Sequence, residues 1–242
     1  MAIALVTSGI AQALTDPSVT GLDTTGANLL IAVVSQDNGA ALPTLSDSKG
    51  NTWNARTTYA GSFTKVTIFY SVATSVGASH SVTATGSNVT CTLTVLAFSG
   101  AHASTPYDVE NGANFGSGTS GQPGSVTPSE NDELIVTGIV WTGATSAASI
   151  NSSYTIAQVA YLSGGVAYGG GAAYLIQGAA AAVNPTWSWT TASAGNACQA
   201  TFKKAAAAGN VKTVQGVAFA SVKTVQGVAI ASVKTIQGVT TA

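Results

Sequence analysis

Apolar and polar residues alternate along most of the first 205 positions, in short runs that end on Gly, Asn, Asp or Ser. A period of two marks strands with one buried face, and helical spacing is nearly absent. The pattern predicts strands at IALVTS from residue 3, NLLIAVVS at 28–35, NTWNARTTYA at 51–60, KVTIFYSVA at 65–73, SHSVTATG at 79–86 and VTCTLTVLAFSG at 89–100. A second set follows: ELIVTGIVW at 133–141, YTIAQVAYL at 154–162, VAYGGGAAYLIQ at 166–177, NPTWSWTTA at 184–192 and NACQATFKK at 196–204. Short strands at this spacing, with no helices between them, predict an all-β sandwich or barrel.

The two sets resemble each other. NLLIAVVS at 28–35 aligns with DELIVTGIV at 132–140, Tyr70 with Tyr174 and Phe98 with Phe202, at offsets of 105, 104 and 104. A nearly constant offset predicts two pseudo-repeated four-stranded halves, 1–110 and 126–205, joined by the Gly/Ser-rich connection 111–125. Packed face to face they give one eight-stranded, two-sheet jelly-roll sandwich over 1–205. In TCTLTVLAF, Cys91, Leu93, Val95 and Ala97 point one way and Thr92, Thr94, Leu96 and Phe98 the other. Both faces carry apolar residues, so this strand is expected to be covered twice, by the core and by a loop or neighbouring subunit.

After a linker at 206–210 the pattern changes to an 11-residue repeat. VKTVQGVAFAS (211–221), VKTVQGVAIAS (222–232) and VKTIQGVTTA (233–242) keep Lys, Gln and Gly in register. A period of 11 suits a right-handed helical coil, but one Gly per unit and many Val and Thr disfavour a helix. The stronger reading is two short β segments per unit about a Gln-Gly turn, with a disordered tail as the alternative. Val211, Val214, Gly216, Val222, Val225, Gly227, Val233, Ile236 and Gly238 are the expected assembly positions. The third copy is truncated, and two and a half units do not make a solenoid alone, since about three or more are needed. The repeat therefore predicts a stem shared between chains, a homotrimer.

Composition narrows the partners. Charged residues are 7% of the chain and net charge is −1, against about 25% charged residues in ordinary proteins. With a single arginine, Arg56, the chain has no basic patch for nucleic acid. No apolar run approaches the ~20 residues of a membrane span. The N-terminus lacks the basic and continuous apolar regions of a secretory signal, which suits a phage component released by lysis. Cys91 and Cys198 are expected as buried free thiols, with a disulfide only if their strands are neighbours.

DSKGNTW (47–53), FYSVA (69–73), LTVLAFSG (93–100), TPYDV (105–109), TPSENDELIV (127–136) and ATFKK (200–204) carry a resemblance. Together they resemble β-sandwich domains of phage structural or tail-associated proteins and of bacterial surface proteins. The tail is similar to short repeats appended to virion proteins. The resemblance implies a fold and carries over no catalytic residue.

Candidate sites are sparse. Asp47, Gly50 and Asn51 form a predicted hairpin turn, or a hard-cation site if Glu130, Asp132 or Glu133 joined them. Those three acids, and Asp108 with Glu110, are the only groupings suited to paired-carboxylate hydrolysis, and solvated turns account for them more simply. His80 and His102 lack zinc spacing, and no GxSxG elbow supports a Ser-His-Asp triad. Among the tryptophans Trp53, Trp141, Trp187 and Trp189, the last two share a strand face. Trp187 and Trp189 with Tyr168 are the candidate glycan-stacking platform, extendable by Tyr154 or Tyr161; core packing is the alternative. The Gly-rich SGGVAYGGGAA at 163–173 reads as a loop or a point of close backbone approach.

The expectation is a non-enzymatic phage virion protein without cofactor or metal. It would display its sandwich on the particle as fibre, tail-associated or capsid-decorating protein, with other virion proteins and a host glycan as partners. The alternatives are a bacterial extracellular surface or matrix protein forming filaments, and a carbohydrate-binding module or hydrolase.

Overall fold

The computed structural model describes residues 2–73, 75–87, 89–143, 148–162 and 168–206, with four residue pairs in the tail. The chain divides into two compact units, Met1–Ala205 and Ala206–Ala242. In chain order the first unit contains β1 (Ala4–Ala13), β2 (Ser18–Leu22), β3 (Leu29–Asp37), β4 (Thr44–Asp47), β5 (Asn54–Ala55), β6 (Tyr59–Ala60), β7 (Thr64–Val72), β8 (His80–Thr85) and β9 (Cys91–Ser99). It continues with β10 (Tyr107–Gly121), β11 (Glu133–Thr142), β12 (Ser149–Ile150), β13 (Thr155–Leu162), β14 (Tyr168–Gln177) and β15 (Trp187–Phe202). No helix occurs among the described residues.

The first large sheet has the order β1-β9-β3-β7-β5, with β6 also on β7; the second has β10-β15-β11-β14-β13, with β12 on β15. All pairs in both sheets are antiparallel. The sheets stack so that β1 lies against β13, β3 against β11 and β14, and β7 against β11 and β15. Between them sits the central core: Leu29, Ile31 and Val33 of β3, Leu96 and Phe98 of β9, Leu134, Val136 and Val140 of β11, and Ala200 and Phe202 of β15. These residues are spaced by two or four along each strand, as alternation requires.

The registers of the two sheets can be compared directly. Leu29 faces Phe98 and Ile31 faces Tyr70 in the first. Leu134 faces Phe202 and Val136 faces Tyr174 in the second. Two edge-on aromatic contacts cross the core, Phe98–Tyr174 at 5.4 Å and Tyr70–Phe202 at 5.7 Å.

Both sheets are also covered on their outer faces. A small sheet, β2-β8-β4, places Val19, Leu22, Leu45, Val82 and Ala84 on Ala32, Val34, Cys91, Leu93 and Val95. The second cover of the TCTLTVLAF strand is therefore the chain's own small sheet, not a neighbouring subunit. Trp187, Tyr154, Val126 and Val183 cover Ile135, Ile139 and Trp141 on the other side. Burial on both faces explains why strands such as β3 read as continuous apolar runs.

Four sequence expectations change. The two large sheets hold six strands each and a third sheet holds three, not eight strands in all. Each half of the chain keeps to its own large sheet. The predicted strand at 51–60 is reduced to the dipeptides β5 and β6, and the runs at 184–192 and 196–204 form one strand, β15. The expected connection 111–125 lies largely within β10, paired with β15 from Tyr107–Phe202 to Gly121–Trp187. Aromatic rings fill the place of the missing side chains there. A Cβ at Gly112 would lie 2.4 Å from the Tyr59 ring, and one at Gly121 2.5 Å from Phe115. Two of the glycines that suggested a linker, Gly112 and Gly121, are seats for rings.

Polar groups join the sheets where charge is scarce. The buried Ser35 Oγ donates to Ile139 O at 2.8 Å, Thr64 Oγ1 to Asn196 Oδ1 at 2.7 Å, and Tyr168 Oη to Asp37 Oδ2 at 2.5 Å. Cys91 and Cys198 are free and buried in different layers, the outer cluster and the central core. Burial pushes the Cys91 thiol up to about 11 and raises Cys198 further.

In the tail, β16 (Thr213–Val214) pairs with β17 (Val217–Ala218), and β18 (Thr224–Val225) with β19 (Val228–Ala229). The two hairpins repeat one register 11 residues apart: Val214 faces Val217, and Val225 faces Val228. Of the expected assembly positions, Val214 and Val225 fall in these strands. Val211, Gly216, Val222, Gly227, Val233, Ile236 and Gly238 lie outside the described residues.

Candidate functional site

The predicted aromatic platform is internal. Trp187 is 0%, Trp189 5% and Tyr168 6% exposed. Trp187 Nε1 donates to Thr137 Oγ1 at 3.1 Å, and Trp189 Nε1 to Gly118 O at 2.9 Å. Trp189 stacks on Trp141 with 5.8 Å between centroids and 6° between planes. Burial with Asp37 as acceptor raises the Tyr168 phenol far above its ordinary value. Buried at 0–6% exposure, these three rings offer no face to a sugar, which corrects the stacking expectation. Tyr154 is buried as well, and the Tyr161 hydroxyl accepts from Ala148 N at 2.9 Å. Within the Gly-rich stretch, residues 163–167 lie outside the described residues. Gly169 is a close-approach position, since a Cβ there would lie 2.3 Å from the Trp141 ring.

Asp47 is the centre of a buried staple. Its Oδ1 accepts from Lys49 N at 2.8 Å and Asn51 N at 3.3 Å, and its Oδ2 from Trp53 Nε1 at 2.8 Å. His80 Nε2 lies 3.2 Å from Asp47 Oδ1, both side chains fully buried. His80 Nδ1 is 2.9 Å from Thr24 Oγ1. Burial opposes ionisation of Asp47, but these donors outweigh it and hold the carboxyl below its ordinary value. The carboxylate is fully buried among these donors, so nothing in this turn favours the hard-cation reading over the hairpin turn. Thr24, His80 and Asp47 have the connectivity of nucleophile, base and carboxylate. Thr24 is nonetheless buried and bonded to Gly77 through both N–H and C=O, so no substrate atom reaches it.

The remaining acids are separated by their partners. Asp108 pairs with Lys203 at 3.2 Å, Glu110 with Arg56 at 3.3 Å and Asp132 with Lys204 at 2.5 Å. The Arg56 guanidinium also lies 3.6 Å above the Tyr107 ring. Glu133 is buried, and burial raises its pKa although Glu130 N and Ser129 Oγ donate to Oε1. The Glu130 backbone thus serves this turn. His102 Nδ1 accepts from Thr105 N at 3.2 Å, closing a local loop. Among the described residues no group of three His, Cys, Asp or Glu could hold a metal.

What the structure does build is a pocket that no sequence motif marked. It has a volume of about 310 Å³ and lies between the β6–β7 turn and the paired strands β10 and β15. Its walls are Gly61, Ser62, Phe63 and Thr64 on one side and Asn114, Phe115, Gly116, Ser117, Ala194, Gly195 and Asn196 on the other. The turn is fixed from within: Gly61 N donates to Thr64 O at 2.8 Å, Asn38 N to Phe63 O at 2.9 Å and Asn38 Nδ2 to Gly61 O at 2.7 Å. It holds Phe63 61% exposed at the rim. Asn114 and Asn196 are direct partners across β10 and β15. Asn196 is 0% exposed; Thr64 fixes its Oδ1, and its Nδ2 has no partner within the protein. A Cβ at Gly61 would lie 2.4 Å from Asn114 Nδ2, so glycine is needed for the turn to approach the amides.

Phe63 carried a faint signal, an aromatic inside a Gly-Ser turn. Asn114 and Asn196 carried none, because register alone makes them neighbours. No family model, no curated protein and no solved structure matches the chain.

Proposed function

We propose that this chain is a structural protein of a phage particle, displaying its β-sandwich at the surface and assembling through its C-terminal repeats. The observation that carries the reading is the tail: two hairpins in one register, 11 residues apart, each only two residues per strand. An isolated two-stranded hairpin is marginal in water. Repeats that each form one are suited to gaining further strands from the same segment of other copies. Three chains wound together would supply a shared core that one chain lacks. The sandwich, covered on both faces of both large sheets, supplies a stiff body to display.

We also infer that the two large sheets are an internal duplication. Three features support this: the same sequence of strands from edge to edge, the paired registers of Leu29–Phe98 with Leu134–Phe202, and the reciprocal aromatic contacts Phe98–Tyr174 and Tyr70–Phe202. Aligning the halves makes each contact the image of the other. A fold made by doubling one unit gives a broad, rigid display body from little sequence information.

Detection in purified particles tests the virion assignment. The chain should remain with intact particles through a density gradient and wash away from the host-cell envelope fraction. Recovery in cell-surface filaments, with none on particles, would instead support the bacterial matrix reading.

A further inference from the structure

We propose that the pocket beneath Phe63 binds an uncharged sugar unit. This builds on the display reading only in taking a glycan as what a surface domain meets; the pocket itself is independent of the tail.

The volume of about 310 Å³ lies at the small end of the ~300–1,000 Å³ range of small-molecule sites. None of the lining side chains is ionisable, so a charged ligand would be desolvated without a counter-charge. Phe63 is 61% exposed on a turn whose backbone is held by three hydrogen bonds, so its exposure is built in rather than a product of a loose loop. An exposed aromatic on a fixed turn offers a flat apolar face, which the C–H face of a pyranose matches. The polar groups are amides and hydroxyls. Asn196 Nδ2 is buried and unmatched in the protein, and Thr64 fixes which way that amide points. That donor has under 1 Å² of accessible surface, so a ligand oxygen reaches it only as the pocket wall shifts, and the exposed Asn114 is the amide a ligand meets first. Asn114, across the strand pair, and Ser62 and Ser117 at the rim provide donors and acceptors for further hydroxyls. A purely apolar ligand would leave these amides unmatched. A sugar satisfies both the ring and the amides.

The test titrates the full-length chain with glucose, galactose, N-acetylglucosamine and their β-linked disaccharides up to about 10 mM, following the side-chain amide signals of Asn114 and Asn196 by NMR. The expected result is saturable shifts for at least one neutral sugar. Phe63→Ala and Asn114→Ala should each weaken binding by about tenfold or more, with unchanged thermal midpoints because both side chains are exposed. The proposal is overturned if none of these sugars binds saturably, or if binding survives Phe63→Ala at wild-type strength. Loss of sugar binding leaves the oligomeric state untouched, so failure here and failure of the assembly reading are separable.

Discussion

Replacing Trp187 by alanine should destabilise the sandwich by about 3–5 kcal/mol, the usual range for deleting a buried indole. Trp187 is wholly buried, caps the outer face of the second sheet and donates to Thr137. Its loss opens a cavity beside Trp189 and Ile139 that rigid strands cannot close, and it leaves the buried Thr137 hydroxyl without that donor. Against a typical total of about 5–15 kcal/mol, this is a large share. Urea unfolding should show a lower midpoint at an unchanged slope. Phe63→Ala, removing a comparable ring from an exposed turn, should move the midpoint little. Equal effects of the two substitutions would contradict the assignment of Trp187 to structure and Phe63 to the surface.

Asp47→Ala should cost about 3 kcal/mol, because breaking a buried pair strands its partners. Lys49 N, Asn51 N and Trp53 Nε1 would all lose an acceptor at once, and the buried His80 would lose the carboxylate beside its Nε2. The same residue gives the account a pH signature. The folded carboxyl titrates below its ordinary value, held there by hydrogen bonds that outweigh burial. Its contribution is therefore fully present above the unfolded-chain value of about 3.9 and is lost as pH falls through the lower folded value. The stability gap between wild type and Asp47→Ala should be constant near neutrality and narrow below about pH 4. A gap of constant size down to acid unfolding would show that the carboxylate charge is not what the staple uses.

How far the sequence could be read follows from what each signal depends on. The strand at 28–35 was legible because an apolar run is a local property, and burial on both faces of β3 is its cause. Of the four aromatic residues aligned between the two sets, Phe98 meets Tyr174 and Tyr70 meets Phe202 across the core, contacts that sheet stacking makes and no local pattern states. Residues 111–125 misled because Gly and Ser describe a flexible chain until a distant ring, Tyr59 over Gly112, covers the backbone. Trp187 and Trp189 share a strand, but which side of the sheet is covered depends on segments such as Val126 and Val183, far off in sequence. The pocket was least legible of all. It depends on Asn114 meeting Asn196 through strand register and on a glycine turn brought close to both. Asp47 lay between these cases: its turn was visible in DSKGNTW, while its buried partner His80 was not.

The central claim is that the repeats assemble the chain. Sedimentation equilibrium on the full-length protein, alongside a form ending at residue 205, addresses it most directly. The account predicts a trimer for the full chain and a folded monomer for the shortened one, with the sandwich's thermal midpoint little changed. A full chain that stays monomeric across the concentration range, or a shortened chain that keeps the same oligomeric state, would contradict it.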